Sequence, residues 1–284
     1  MTEDLISVCI VSYNSQKTII NTLNSIYLQS YKNIELIVSD DCSTDNTISI
    51  VKDWFITHSE RFINTKIISV EKNTGVTGNV NRACIEAIGN YIKIIAADDQ
   101  LLPNYLELCI KKFNSNNNIQ ALFTKVKFVA ENNSPVPHDV DYSFFYLSAE
   151  EQFKAIILSG APFIPTPSVI YKKEVFDKVG LFDERIPMWE DGPFYYTLTK
   201  NGIKLNLLEE ELVTWTVRSD SLSNSVPYRH RKSIALFYFY DLFKEEIKIR
   251  PIKASFHLIK FSFLYHSNKK ICNYIYNLLC KKNI

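Results

Sequence analysis

The first hundred residues alternate short apolar runs with segments whose apolar positions recur three and four apart. Ile6-Ser7-Val8-Cys9-Ile10-Val11 reads as a buried strand. Ile19, Ile20, Leu23, Ile26 and Tyr27 then mark one face of a helix, with Asn14 or Ser15 as its cap. Glu35-Leu36-Ile37-Val38 predicts a second strand, and Ser43 or Thr44 caps a helix running through Trp54. Lys66–Val70 predicts a third strand, residues 77–88 a helix, and Tyr91–Ala97 a fourth strand. Repeated β-α-β-α order implies a parallel sheet with helices on both faces. From Pro103 the pattern changes. A helix to about Phe113 precedes a polar turn at 114–118, a strand at 121–129 and an exposed, proline-bearing loop at 131–141. A helix at 149–158, a Pro-studded stretch at 161–167 and a strand at 168–171 follow. The helix predicted at 174–179 closes on Gly180. From Tyr228 onward the chain is helical in pattern, aromatic and basic.

A length of 284 residues suits one large α/β domain or two intimately packed halves. The net charge is only +1, but it is unevenly spread. Residues 229–284 hold 12 Lys and Arg against 3 Asp and Glu, about +9, which leaves the body near −8. Such a tail suits a surface partner; no nucleic-acid partner is expected. The six cysteines form no Cys-x-x-Cys pair, and several lie among apolar neighbours, as reduced buried thiols do. The acidic N-terminus resembles no signal peptide, and no stretch is apolar enough to span a bilayer. A cytoplasmic protein is therefore expected, dissolved or attached to a membrane face. The seven glycines build neither a G-x-G-x-x-G turn nor a P-loop, which disfavours dinucleotide dehydrogenases and P-loop ATPases.

Chemistry gathers at the predicted strand ends. Asp98 and Asp99 close the fourth strand, where α/β sheets bind ligands. Adjacent carboxylates repel unless a cation or proton intervenes, and their oxygens are ligands that Mg²⁺ and Mn²⁺ prefer. Four other polar segments accompany them: Ser12-Tyr13-Asn14, Ser39–Asp45, Asn73-Thr74-Gly75-Val76 and Trp189-Glu190-Asp191-Gly192. Each alone reads as a turn or a cap. Their order along the chain is more specific.

The ordered set resembles family 2 of the inverting glycosyltransferases over roughly residues 5–225. Tyr13-Asn14 matches the pair that ends the family's first strand, and Asp40–Asp45 its Asp-Asp-x-Ser-Thr-Asp turn. Asn73 and Gly75 match Asn-x-Gly, and Asp98-Asp99 match the metal motif. Gly180–Glu184 leading to Glu190-Asp191 matches the late acidic pair. Two positions depart from the pattern: Ala96 stands where many members carry another Asp, and Val80-Asn81 where an Arg-Asn pair is common, with Arg82 beside it. The resemblance is closest to the branch that builds bacterial O-antigen and capsule. It implies a GT-A fold, a Rossmann-like, mostly parallel sheet flanked by helices, here with a helical C-terminal extension. It also implies a donor-binding half at 1–102, an acceptor-binding half at 103–227 and a tail at 228–284.

The implied reaction moves a hexose or N-acetylhexosamine from a UDP-sugar, with inversion, to a sugar acceptor on a lipid pyrophosphate. Mg or Mn on Asp98 and Asp99 would neutralise the departing diphosphate. Tyr13 would stack on the base, and Asp40 or Asp41 would accept the uracil N–H. The family places the general base at Asp191. Trp189 and Glu190 would meet the acceptor, and Arg218 would clamp the phosphates. A sugar-nucleotidyltransferase would want a glycine-rich loop in Val11–Lys17, which has none. A non-catalytic nucleotide-sugar-binding module would not need the late acidic pair.

In the tail, Ile271, Tyr274, Ile275, Leu278 and Leu279 fall on one helical face flanked by lysines, and Phe256, Phe261, Phe263 and Tyr265 add aromatics. This face either packs on the domain or anchors the protein to an anionic membrane.

Overall fold

The computed structural model describes residues 4–132, 134–137, 140–159, 164–217 and 233–266. Arg218 and the 271–279 face lie outside the described residues. The elements are β1 (Ile6–Ser12), α1 (Ile19–Tyr27), β2 (Ile34–Asp40), α2 (Thr47–His58), β3 (Asn64–Ser69), α3 (Gly75–Glu86), β4 (Tyr91–Ala96) and β5 (Gln100–Leu101). Then come α4 (Tyr105–Ser115), β6 (Ala121–Ala130), α5 (Ala149–Ser159), β7 (Ile170–Lys172), α6 (Glu174–Val179), α7 (Asp191–Lys200) and β8 (Leu205–Val217). A π-helical turn at Tyr238–Leu242 leads into α8 (Phe243–Ile249) and α9 (Pro251–His266).

One sheet in the order β3-β2-β1-β4-β7-β6-β8-β5 joins both halves. The strands β3, β2, β1 and β4 are mutually parallel. β7 runs antiparallel between β4 and β6, and β8 pairs parallel with β6. The period-2 pattern of the strands sorts side chains to the two faces. Ile6, Val8, Ile10, Leu36 and Val38 join Leu23, Ile26, Trp54 and Tyr105 on one face. Cys9, Ile37, Ile92 and Phe123 join Val80, Ala83, Phe194 and Leu198 on the other. The sheet, flanked by helices on both faces, is as predicted.

Several boundaries move, and the reasons are local. α1 starts at Ile19 and α2 at Thr47, later than the expected caps. Asn14 and Ser43 are engaged elsewhere: the Asn14 N–H donates to Ser43 Oγ at 2.7 Å, and Asn14 Oδ1 accepts the N–H of Thr44 at 2.8 Å. The polar side chains thus knit two loops together instead of capping helices. β8 has no counterpart in the sequence reading. Its Glu209-Glu210-Glu211 run is exposed and breaks the apolar pattern. β8 nevertheless pairs along the whole of β6, shifting register near Lys125, where a bulge bends it.

Helix α3 couples the parallel half to the late motif. Thr77 Oγ1 donates to Ile186 O at 2.7 Å. Asn81 Nδ2 donates to Phe182 O and Glu184 Oε1, both at 2.9 Å, and Asn81 Oδ1 accepts the Phe182 N–H at 3.0 Å. The segment 182–187 therefore reaches the site edge clamped to α3. The C-terminal helices also belong to the body: Ala235, Phe237, Tyr238 and Leu242 are buried in the core.

Candidate active site

β1 and β2 end side by side, Ser12 opposite Asp40. Asp40 is fully buried and accepts the Ser12 hydroxyl at 3.0 Å, the Ser43 N–H at 2.8 Å and the Ser43 hydroxyl. Asp41 is also buried. It gathers the N–H groups of Thr74 and Gly75, the Thr74 hydroxyl at 2.8 Å and Arg82 at 2.7 Å. Both carboxylates thus organise the loops of the site. Asn73 closes the same loop, with Nδ2 on Asp41 O at 3.1 Å and Oδ1 on the Gly75 N–H at 3.1 Å. Gly75 has φ +86°, and a Cβ there would stand 2.8 Å from Pro187 O, so the position requires glycine. Asn14 and Cys42 also hold positive φ, 50° and 69°, at the tips of the two neighbouring loops. Beside them Tyr13 is 45% exposed, open for stacking.

Asp98 and Asp99 sit between β4 and the short β5. Asp98 is partly exposed and Asp99 is buried. Thr216 of β8 donates its N–H to Asp99 Oδ1 at 3.0 Å. Burial, and then the charge of Asp98, push the Asp99 carboxyl well above the ordinary carboxylate range; the Thr216 N–H and Lys93 oppose that rise. A divalent cation would offset both causes of the rise, so the donor set fits one. Among the described residues no cluster of three or more His, Cys, Asp or Glu forms a cage. An ion on Asp98 and Asp99 would draw its other ligands from substrate phosphates and water, as Mg²⁺ commonly does.

The late acidic pair opens α7. Asp191 Oδ1 accepts the Gly192 N–H at 2.7 Å, and Oδ2 accepts the Thr166 hydroxyl. Glu190 lies against a small apolar cavity of about 20 Å³ that it lines with Val80, Ile94, Val169, Tyr171 and Phe182. Burial first, then the charge of Asp191, push the Glu190 carboxyl up to about 8, so it is mostly neutral at pH 7. Trp189 is half-buried and packs edge-on to Phe237 at 5.4 Å. A Cβ at Gly192 would stand 2.2 Å from its ring. Trp189 therefore wedges α7 against the C-terminal helices, and a stacking role would use only its exposed edge.

The two acidic sites are joined from below. Lys93 of β4, fully buried, donates to the carbonyl of Pro167, within the turn that carries Thr166, and to that of Val169, just after it. Burial pulls its ammonium down to about 7.

Comparison with known proteins decides the class. Residues 7–180 match the family profile described as glycosyl transferase family 2. The chain belongs to glycosyltransferase family 2. An uncharacterized glycosyltransferase of Methanocaldococcus jannaschii is 27% identical over 219 residues, 76% of this chain and 72% of that one. The Escherichia coli UDP-Glc:alpha-D-GlcNAc-diphosphoundecaprenol beta-1,3-glucosyltransferase WfaP is 22% identical over 284 residues, 99% of each chain. Residues 1–349 of Staphylococcus aureus TarS, solved in complex with UDP-GlcNAc, superpose with a TM-score of 0.65 at 22% identity, over 98% of this chain and 74% of that one. The protein is thus a glycosyltransferase of GT-A fold.

Within this family 2 site, sequence reasoning noted Arg82 only as the neighbour of Val80-Asn81 and missed Thr166, Lys93 and the Thr216 N–H. Arg82 lies two positions beyond Val80 on α3 and bonds to Asp41, Thr74 Oγ1 at 2.6 Å and Asn79 at 3.1 Å. The other three act across the sheet, where no spacing in the chain announces them.

The raised Glu190 carboxyl makes stability depend on pH. The unfolded group titrates near 4.5 and the folded one near 8. Stability is therefore undiminished below pH 4.5 and is lost as pH rises toward 8, because only the unfolded chain ionises freely. Glu190→Gln removes that loss. Its stability relative to the wild type should increase by about 2 kcal/mol between pH 5 and pH 8.5, after discounting for partial exposure. Urea unfolding at the two pH values checks this, and a pH-independent difference refutes it.

Proposed function

We propose that this glycosyltransferase moves a hexose or N-acetylhexosamine from a UDP-sugar, with inversion, onto a sugar carried by a lipid pyrophosphate. The product would be a repeat unit of a bacterial surface polysaccharide of the O-antigen or capsule type. The observation that carries the reading is the pairing of two sites within one fold. Asp98 and Asp99 follow β4 beside the proposed nucleotide loops, and Asp191 stands at the start of α7 with both its oxygens held. The full-length match to WfaP, whose name specifies UDP-glucose and a GlcNAc-diphospho-lipid, supports the substrate classes. The TarS complex with UDP-GlcNAc supports the fold as a frame for such donors.

In this reading, residues 1–102 bind the donor and 103–227 the acceptor. Tyr13 stacks on the uracil, and Asp40 or Asp41 accepts its ring N–H. Asn73 and Gly75 shape the loop around the ribose and phosphates, with Arg218 a further phosphate ligand by sequence position. Asp98 and Asp99 would hold a Mg or Mn ion, which when bound neutralises the leaving diphosphate. Asp191 takes the proton of the acceptor hydroxyl as that oxygen attacks the anomeric carbon opposite the leaving group. Neutral Glu190 adds no second negative charge beside it. Trp189 and Glu190 flank the acceptor.

Transfer should vanish in EDTA and return with Mn²⁺ or Mg²⁺, and Asp99→Asn should lose activity while remaining folded by circular dichroism. Full activity in EDTA removes the metal from the scheme. Asp191→Asn should keep UDP binding and lose turnover by about 10²–10⁴-fold, the usual contribution of a general base. NMR of the wild-type product should show the inverted anomer; near-wild-type turnover in the variant, or retention, sinks the assignment.

A peripheral membrane attachment completes the proposal. The start of the tail packs into the core, but α9 leaves Ile252 (75% exposed), Phe256 (68%) and Ile259 (56%) on one face, beside exposed Lys253. Among the described residues no helix is long and apolar enough to cross a membrane. Apolar burial at the interface, plus about 1 kcal/mol per basic residue near an anionic leaflet, would hold such a face. Removing residues from 229 onward would also strip Phe237 and Tyr238 from the core, so point changes are the cleaner probe. The protein should sediment with anionic liposomes, be released by high salt, and lose binding in Phe256→Glu/Ile259→Glu. Equal sedimentation of the double variant counts against the α9 face.

A further inference from the structure

The Asp191 carboxylate is not held by its own helix alone. Oδ1 takes the Gly192 N–H, but Oδ2 takes the hydroxyl of Thr166, 25 residues earlier on the 3₁₀ turn Thr166–Ser168. Thr166 Oγ1 in turn accepts the phenolic O–H of Tyr195 at 3.1 Å. A hydroxyl has one proton to give. With Tyr195 donating to its lone pair, Thr166 has two acceptors in reach, Ile164 O at 3.4 Å and the much closer Asp191 Oδ2, and the closer one takes the proton. The chain therefore runs one way: Tyr195 to Thr166 to Asp191.

The turn that carries Thr166 is fixed independently of α7. Lys93 of β4 donates to Pro167 O and Val169 O, the latter at 3.1 Å. Tyr105 of α4 donates to Ser168 O at 2.7 Å. Ser168 Oγ donates to Pro165 O at 2.7 Å. Thr166 is thus anchored to the sheet and to α4, while Asp191 begins a different helix. Contact between two separately anchored groups restricts the carboxylate to one rotamer.

We propose that Thr166 is a positioning residue for catalysis: it fixes the Asp191 carboxylate so that its remaining lone pairs meet the acceptor hydroxyl in one orientation. The inference rests on Asp191 being the base. Misplacing a catalytic group by about 1 Å can cost up to about 10²-fold. Donor binding does not pass through this contact.

The test uses full-length protein, UDP-glucose as donor and a short-chain GlcNAc-diphospho-lipid as acceptor. Thr166→Val should bind UDP as the wild type does, keep KM for the donor within about twofold and lose about tenfold in kcat. Thr166→Ser keeps the hydroxyl and should recover most of kcat. Tyr195→Phe keeps the buried ring and should show a smaller loss in kcat with the donor KM again unchanged; it decides the matter if Thr166→Val does not fold. Unchanged kcat in Thr166→Val, no recovery in Thr166→Ser, or an unaltered Tyr195→Phe where it must decide, overturns the proposal. Asp191→Asn in the same assay separates the two readings. If it retains turnover, the base assignment falls; if it is inactive while Thr166→Val matches the wild type, only the role of Thr166 falls.

Discussion

The site depends first on one buried carboxylate. Asp41 follows the last residue of β2 and takes two backbone N–H groups, a hydroxyl and a guanidinium from the loop and helix after β3. A charge removed from water needs that many donors, and charge-assisted bonds of this kind are the strong ones. Their consequence is positional. The Asn73–Gly75 loop is drawn to the end of β2, and α3 starts there with Thr77 and Asn81 facing segment 182–187. That segment leads within four residues to Asp191. The loops after β2 and β3 and the late acidic pair are therefore two ends of one hydrogen-bonded path.

A second constraint runs through β4. It carries Lys93, fully buried, and Asp98 and Asp99 follow its C-terminal end. Lys93 holds the Thr166 turn, and Thr166 holds Asp191, so the strand that leads into the Asp98-Asp99 pair also supports the proposed base. Burying an ammonium is costly. Two carbonyls and the Tyr105 ring at 5.0 Å offset that cost. β8 contributes from the other side, where its bulge near Lys125 changes the register and Thr216 comes to face Asp99. The surroundings of the Asp98-Asp99 pair thus draw on strands from both halves of the sheet.

What the sequence revealed follows from the range of each interaction. β1 to β4, their helices and the polar strand ends are local patterns, and they were legible as the family 2 arrangement. Cap positions were misjudged because Asn14 and Ser43 bond to each other's loops, a choice made in three dimensions. β8 escaped because its three consecutive glutamates lie on the exposed stretch of a strand whose apolar residues cluster at either end. Trp189 reads as a platform beside two acids, but the missing Cβ of Gly192 lets its ring pack inward against α7. Thr166 and Lys93 could not be found by spacing, since each acts on a partner brought near only by the closed sheet.

The C-terminal helices carry the same logic to the protein surface. Glu246, buried on α8, accepts the Tyr238 hydroxyl at 2.8 Å, Arg250 at 2.6 Å and His257 at 2.9 Å. Arg250 also donates to Leu158 O at the end of α5. That polar knot makes the root of the tail a rigid part of the body. Arg185, bonded to Asp183 in the Gly180–Glu184 motif, stacks over Tyr240 at 4.6 Å and approaches Asp241 at 3.9 Å. The segment that delivers Asp191 is therefore tied to the π-helical turn, and that turn continues into α8 and α9. Π-helical turns are uncommon, and where they persist they often mark functional sites. Here the turn lets Tyr238 and Leu242 reach the core while Tyr240 stays out beneath Arg185. The outer face of α9 is thus joined to the segment that delivers Asp191 through packed helices.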